Sequence, residues 1–212
     1  MCLGADARVD SESGVMVTVA VTDPRGRLVI VSGPSGAGKS TVVKQLMQTC
    51  PLPLQFSVSA TTRSPRAGEI DGREYHFLTE KEFLQRRQEG KFLECKQVFG
   101  LGHWYGTQKS TVLEGLQSGR WVLLEIDVEG AQELINGPLD PITVFIEPGG
   151  IAELEQRLRS RGTESESQIT ARLQTAATEY QSLTRYQHHV INDRIERAVA
   201  EICTILQNYQ ET

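Results

Sequence analysis

Apolar residues fall along this chain in two alternating rhythms. Leu28-Val29-Ile30-Val31-Ser32 is a short unbroken apolar run, and Trp121-Val122-Leu123-Leu124-Glu125-Ile126-Asp127 and Ile142-Thr143-Val144-Phe145-Ile146 repeat its character. Runs of this length suit strands buried on both faces. His189-Val190-Ile191-Asn192 is a weaker fourth. Between the runs the apolar spacing turns helical. Over residues 39–49, Val42, Val43, Leu46 and Met47 share a face, and Pro51 and Pro53 close the segment. Residues 108–118, 151–161, 167–183 and 193–207 read as further helices. Strands alternating with helices predict an α/β fold, a parallel sheet with helices on both faces.

Residues 57–106 break that rhythm. They are rich in Thr, Arg, Gly and aromatics, and read as an insertion of irregular strands with one helix at 80–89. Residues 1–26 read as an N-terminal extension, flexible or supplying an edge strand through 15–21. No internal repeat or low-complexity tract is present.

Composition narrows the function classes. The 212 residues, 39% hydrophobic, suffice for one domain with a sizeable core. A net charge of −5 argues against a broad nucleic-acid or anionic-membrane surface, though not against a local cationic pocket. No apolar run is long enough to span a membrane, and residues 15–21, flanked by Asp6, Asp10 and Glu12, make a poor secretory signal. Cys2, Cys50, Cys95 and Cys203 are scattered without a C-x-x-C pair, so neither a zinc site nor a disulfide framework is predicted, and a cytoplasmic location is.

The candidate chemistry begins at Gly33-Pro34-Ser35-Gly36-Ala37-Gly38-Lys39-Ser40, which fits G-x-x-x-x-G-K-[ST]. The glycines let successive backbone N–H groups converge on phosphate oxygens, Lys39 adds positive charge near the β- and γ-phosphates, and Ser40 offers a hydroxyl to Mg²⁺. A buried-type strand before the octet and a helix after it separate it from an accidental glycine-rich turn. The motif points to a nucleoside triphosphate, without separating GTPases, ATPases and kinases. Further on, Ser59-Ala60-Thr61-Thr62-Arg63-Ser64-Pro65-Arg66-Ala67-Gly68-Glu69 carries two arginines three apart. Guanidinium forks suit a second phosphate group better than lysines do, although solvated surface charge is the ordinary alternative.

From this point the chain resembles the guanylate kinase family. The run from Ser59 to Glu69, then Tyr75, Phe92-Leu93-Glu94, Trp104-Tyr105-Gly106-Thr107, Leu124-Glu125-Ile126-Asp127 with Glu129-Gly130-Ala131, Arg161-Gly162-Thr163 and Val190-Ile191-Asn192-Asp193 follow that family's order. The resemblance implies a P-loop fold, with core segments 27–58, 107–148 and 184–212, a GMP-binding insertion at about 59–106 and a helical lid at about 149–183. It implies ATP-dependent phosphorylation of GMP, or dGMP, to the diphosphate, with ATP and Mg²⁺ required and no obligatory protein partner. Residues 33–40 and Asn192 would hold ATP, with Asn192 near the adenine and Ser40 on the metal. Arg63, Arg66, Tyr75 and Tyr105 would hold the GMP phosphate. Ser59, Glu94, Thr107 and Asp127 would contact guanine. Lys39, Arg63, Arg161 and Arg172 would stabilise the transferring group, and Arg157 matches the lid pattern less well.

Two departures stand out. The family has Asp where this chain has Glu125, which leaves the role of Glu125 open, and two extra residues fall near Gly100-Leu101-Gly102-His103. Three rival readings each require something different of the sequence. A phosphopeptide-binding module of the same fold would tolerate a degraded phosphate loop, whereas this loop is intact. A phosphosugar kinase would lack Ser59, Glu94, Thr107 and Asp127. A regulatory GTPase would need an Asn-Lys-x-Asp motif, which is absent.

Overall fold

The computed structural model describes residues 26–97, 102–160, 162 and 165–210. In chain order the first elements are β1 (Leu28–Ser32), α1 (Lys39–Thr49), β2 (Leu54–Phe56), β3 (Ala60–Thr61) and β4 (His76–Phe77). Then come α2 (Glu80–Gln88), β5 (Phe92–Gln97), β6 (Trp104–Gln108), α3 (Lys109–Gln117), β7 (Trp121–Glu125) and α4 (Val128–Ile135). The chain closes with β8 (Ile142–Glu147), α5 (Ile151–Ser160), α6 (Glu166–Tyr180), β9 (His188–Ile191) and α7 (Ile195–Asn208).

Five parallel strands form the central sheet in the order β2-β7-β1-β8-β9. Its strands are apolar at successive positions because both faces are covered. Val29, Val31, Leu123, Val144 and Ile146 pack with Val42, Val43 and Leu46 of α1 and with Ala198, Val199, Ile202 and Leu206 of α7. Leu28, Ile30, Val122, Leu124 and Phe145 point the other way, against Val112 of α3 and Val128, Ala131 and Leu134 of α4. The two-residue period of a strand sorts each run between these two cores. The predicted α/β class, with helices on both faces of a parallel sheet, is therefore what the chain adopts.

A second sheet, ordered β4-β3-β6-β5, is mostly antiparallel and lies within 60–108. Phe83 of α2 is fully buried against it and stacks on Phe92 at 4.4 Å. A capping box between Thr79 and Glu82 starts α2. Helices α5 and α6 share a small core of their own, Leu154, Leu158, Ile169 and Ala176.

Several elements depart from the sequence reading. Strand β2 was not anticipated; its three residues, behind Pro53, are too few to show a period, and it forms by pairing with β7. Helix α4 was missed because the apolar run was carried through to Asp127, whereas β7 stops at Glu125 and Asp127 caps α4, accepting from Gly130 N–H at 2.9 Å. Strand β9 lies one residue earlier than predicted, and α6 stops at Tyr180 before a 3₁₀ turn at Leu183–Arg185. The edge strand expected at 15–21 lies outside the described residues. Among the described residues no helix is long and apolar enough to cross a membrane.

In the parallel sheet β1 sits between β7 and β8, so the loop after β1 opens at the strands' carboxyl edge, between the ends of its two neighbours. Leu123 is fully buried in the middle of β7. Leu123→Ala is expected to lower the unfolding free energy by about 3 kcal/mol in urea titrations. A loss below about 1 kcal/mol would mean that this core does not hold the sheet.

Candidate functional site

The loop that follows β1 owes its shape to backbone that ordinary residues rarely adopt. Gly33, Gly36 and Gly38 have φ of 137°, 97° and 85°. A Cβ on Gly33 would lie 2.0 Å from the Ile146 carbonyl oxygen, and one on Gly38 would lie 2.5 Å from Nδ2 of Asn192. The curl leaves the first turn of α1 facing the loop's concavity, a geometry that favours anions. Lys39 donates its Nζ to the carbonyls of Gly33 at 2.6 Å and Pro34 at 3.1 Å. Burial pushes the Lys39 pKa down, while Glu125, Glu179 and Asp127 pull it back up. Ser40 donates its hydroxyl to Oε1 of Glu125 at 2.5 Å, so the Glu125 left open by the sequence is the partner of the expected metal-ligating hydroxyl.

Asn192 is 3% exposed and donates its amide to the Ala37 carbonyl at 2.7 Å. The Asn192 backbone carbonyl accepts from the Arg157 guanidinium of α5 at 2.7 Å. Together with Gly36, Gly38, Thr41, Ser160, Asp193 and Ile195, these two residues line a cavity of about 300 Å³ beside the loop. The side chain of Asn192 is thus engaged in holding the loop.

The second sheet gathers the other expected residues. Arg63 forms a bidentate pair with Glu69, both bonds 2.9 Å, and lies over the Tyr75 ring at 5.3 Å. Tyr75 in turn meets Tyr105 edge-on at 5.8 Å. Glu69 also accepts the Arg66 backbone N–H at 2.7 Å, which holds the turn between the two arginines, and the Arg66 side chain is exposed. These contacts with Arg63 and Arg66 keep the Glu69 carboxyl near 2.

Glu94 has the opposite environment. It is 6% exposed and accepts the Thr107 hydroxyl at 2.6 Å. Burial, helped by Asp127 and Glu133, pushes its pKa up to about 7. Gly130 at the start of α4 approaches so closely that a Cβ there would lie 2.9 Å from Oε2 of Glu94. Asp127 keeps one oxygen on the α4 N-terminus and the other 2.8 Å from Nζ of Lys96.

The structure therefore brings Arg63, Tyr75 and Tyr105 together, and separately Glu94, Thr107 and Asp127. Ser59 lends its backbone carbonyl to His76 N–H at 2.9 Å and joins no side-chain cluster among the described contacts. Arg172 lies on α6, while Arg161 and residues 98–101 lie outside the described residues. Sequence reasoning missed four participants: Glu69, Lys96, Gly130 and Glu179. Glu69 and Gly130 had a local signal, one closing the run that carries both arginines and the other lying in the Glu129-Gly130-Ala131 motif.

Comparison with known proteins covers the same stretch of chain. The family model described as guanylate kinase matches residues 25–209. A guanylate kinase of Rhodopirellula baltica is 60% identical over 188 residues, covering 88% of this chain and 90% of that one. One from Clostridium perfringens is 45% identical, covering 87% and 84%. The crystal structure of guanylate kinase from Anaplasma phagocytophilum superposes with a TM-score of 0.74 at 30% identity, covering 90% of this chain and 89% of that one.

The environment of Glu94 makes stability depend on pH. Its folded pKa of about 7 lies above the ordinary value of 4.5, so the folded state binds the proton more tightly than the unfolded state does. The resulting stability is full below about 4.5 and is lost as pH rises through 7, by about 3 kcal/mol. Glu94→Gln keeps an oxygen for Thr107 and removes the charge. Urea titrations at pH 8 are expected to find the variant more stable than the native protein by about 2–3 kcal/mol, the gap closing by pH 5. Parallel curves across that range would refute the assignment.

Proposed function

The chain belongs to the guanylate kinase family, and on that premise we propose that it transfers the γ-phosphoryl group of ATP to the phosphate of GMP, giving ADP and GDP. The observation that carries the substrate choice is the buried Glu94 carboxylate, held by one hydroxyl at the wall between the second sheet and α4. Guanine presents N1–H and a 2-amino group as adjacent donors. Adenine has an acceptor at N1 and no 2-amino group, so it would leave a buried carboxylate unpaired, which is costly. The proposal extends to dGMP, because the recognition argument uses only base and phosphate. It also places the protein in the cytoplasm, where its thiols stay reduced.

The acceptor phosphate of GMP is already an anionic nucleophile, so the reaction needs positioning and charge rather than a general base. Arg63, pre-oriented by Glu69 and the Tyr75 ring, would grip the GMP phosphate with Arg66, Tyr75 and Tyr105. The N–H groups of residues 33–40 and the Lys39 ammonium would cradle the ATP phosphates. Lys39 exchanges its bonds to the Gly33 and Pro34 carbonyls for phosphate oxygens, which keeps its charge paired in both states. Arg172 of α6, and by the resemblance Arg161, would bring positive charge as charge spreads over the transferring group. Asn192 and Arg157 hold the loop from behind and line the cavity where the adenosine would lie.

Ser40 and Glu125 fit a hard divalent cation: two oxygen donors 2.5 Å apart at the mouth of the loop, with substrate phosphates to complete the sphere. Bound there, Mg²⁺ would neutralise phosphate charge and fix the geometry of the triphosphate.

A coupled ADP-release assay with ATP and Mg²⁺ tests the proposal, comparing GMP, AMP, UMP and CMP. Turnover on GMP is expected, with Glu94→Ala lowering kcat/KM for GMP by about 10²–10³-fold and Lys39→Met lowering kcat by a similar factor. Because guanine requires the ionised carboxylate, KM for GMP is expected to rise as pH falls below about 7. No turnover on any nucleotide, or equal turnover on AMP, would overturn the reading.

A further inference from the structure

Strands β5 and β6 pair with Cys95 opposite Gly106 and Lys96 opposite Tyr105. Alternation along the pair puts Glu94, Lys96, Tyr105 and Thr107 on one face, and the Glu94–Thr107 hydrogen bond agrees. That face looks onto the N-terminal turn of α4, where Gly130 nearly touches Glu94. Lys96 spans the same gap. Its Nζ lies 2.8 Å from Oδ2 of Asp127 and also bonds Glu129, and its side chain is 19% exposed. Burial works against its charge, but the bonds to Asp127 and Glu129 outweigh that and raise its pKa. It is a cation set between β5 and the start of α4, whose side chains there are otherwise apolar or acidic.

The charges acting on Glu94 come from α4 and its cap: Asp127 and Glu133 both disfavour a charge there, while β6 offers the uncharged Thr107 hydroxyl. Lys96 of β5 is bonded to Asp127, and also to the exposed Glu129. Glu179 of α6 interacts with the same Asp127 and Lys96. Removing the Lys96 ammonium would leave Asp127 uncompensated near a buried acid that must itself ionise to bind guanine.

We propose that Lys96 is a positioning residue for guanine recognition: its ammonium ties β5 to the start of α4 and offsets the α4 carboxylates, so that Glu94 can carry a negative charge when the base arrives. The proposal rests on the reading of Glu94 as the guanine acceptor, and assigns the Asp127 carboxylate to this tie and to the α4 cap. Lys96 touches no reacting atom, so its effect belongs in the affinity for GMP, not in the transfer step or in the affinity for ATP.

The test is steady-state kinetics from pH 6 to 9 on the native enzyme, Lys96→Met and Lys96→Arg. Lys96→Met is expected to raise KM for GMP about five- to tenfold at pH 7 and less than about twofold at pH 9, where Glu94 ionises in both proteins. Titration of the GMP phosphate is common to both enzymes and cancels in the ratio. KM for ATP stays native, which also reports a folded variant, and Lys96→Arg restores GMP affinity across the range. A native KM for GMP in Lys96→Met at pH 7 would overturn the proposal. So would a ratio constant from pH 6 to 9, which a merely mechanical tie would give. A native protein inert toward GMP would overturn the parent reading as well, whereas an active one with a flat ratio would overturn the role of Lys96 alone.

Discussion

The molecule depends on how closely other parts of the chain approach the backbone of the phosphate loop. A side chain on Gly33 would strike the β8 carbonyl of Ile146, one on Gly36 would meet the Leu154 methyl of α5 at 2.8 Å, and one on Gly38 would strike the Asn192 amide. Contacts from more than a hundred residues further along the chain thus press on one octet, and each needs the absence of a Cβ. The positive φ values let the loop curl back on itself, and the surrounding contacts fix how it presents its N–H groups. Preorganised donors of this kind need no reorganisation when an anion arrives, which makes them useful in phosphoryl transfer. Lys39 completes the arrangement by resting on the loop's own carbonyls.

Two glutamates show how far environment decides the work of a residue type. Glu69 lies at the surface, shared between the Arg63 fork and the Arg66 N–H, and stays ionised to about pH 2. As a fixed anion it aims the Arg63 guanidinium and holds the turn at Arg66. Glu94 is buried, holds one hydroxyl and titrates near neutrality. A carboxylate so buried ionises at a cost, and it would gain most from a ligand that supplies two donors at once.

What could be read from the sequence follows the range of the interaction concerned. The β1–loop–α1 unit was legible because its signals, an apolar run, a glycine spacing and a helical period, all lie within residues 28–49. The buried strands β7 and β8 were legible for the same reason. Strand β2 was not, since three residues have no period and its existence depends on the edge of β7. Helix α4 was hidden because its cap, Asp127, prolongs an apolar run. Among site residues, the family resemblance singled out Glu94, Thr107 and Asp127, and the structure gathers them at one wall. It could not show that Asp127 has both oxygens engaged, because Lys96 and Gly130 become neighbours only in the fold. Asn192 is the converse case: the resemblance sets it near adenine, and the structure shows its amide bonded to the loop.

The end of β7 joins the two halves of the site. Glu125 and Asp127 are two residues apart in extended backbone, so both side chains leave the same side of the chain. Glu125 reaches Ser40 of the phosphate loop at 2.5 Å, and Asp127 reaches Lys96 of the second sheet at 2.8 Å. The strand behind them is buried from Trp121 to Leu124 and paired on both edges. A rigid strand therefore sets the separation between the element that would hold the phosphoryl donor and the element that would hold its acceptor. In-line transfer tolerates little error in that separation. A carboxylate at the strand's end and another at the cap of the helix it leads into control it more tightly than residues carried on two independent loops could.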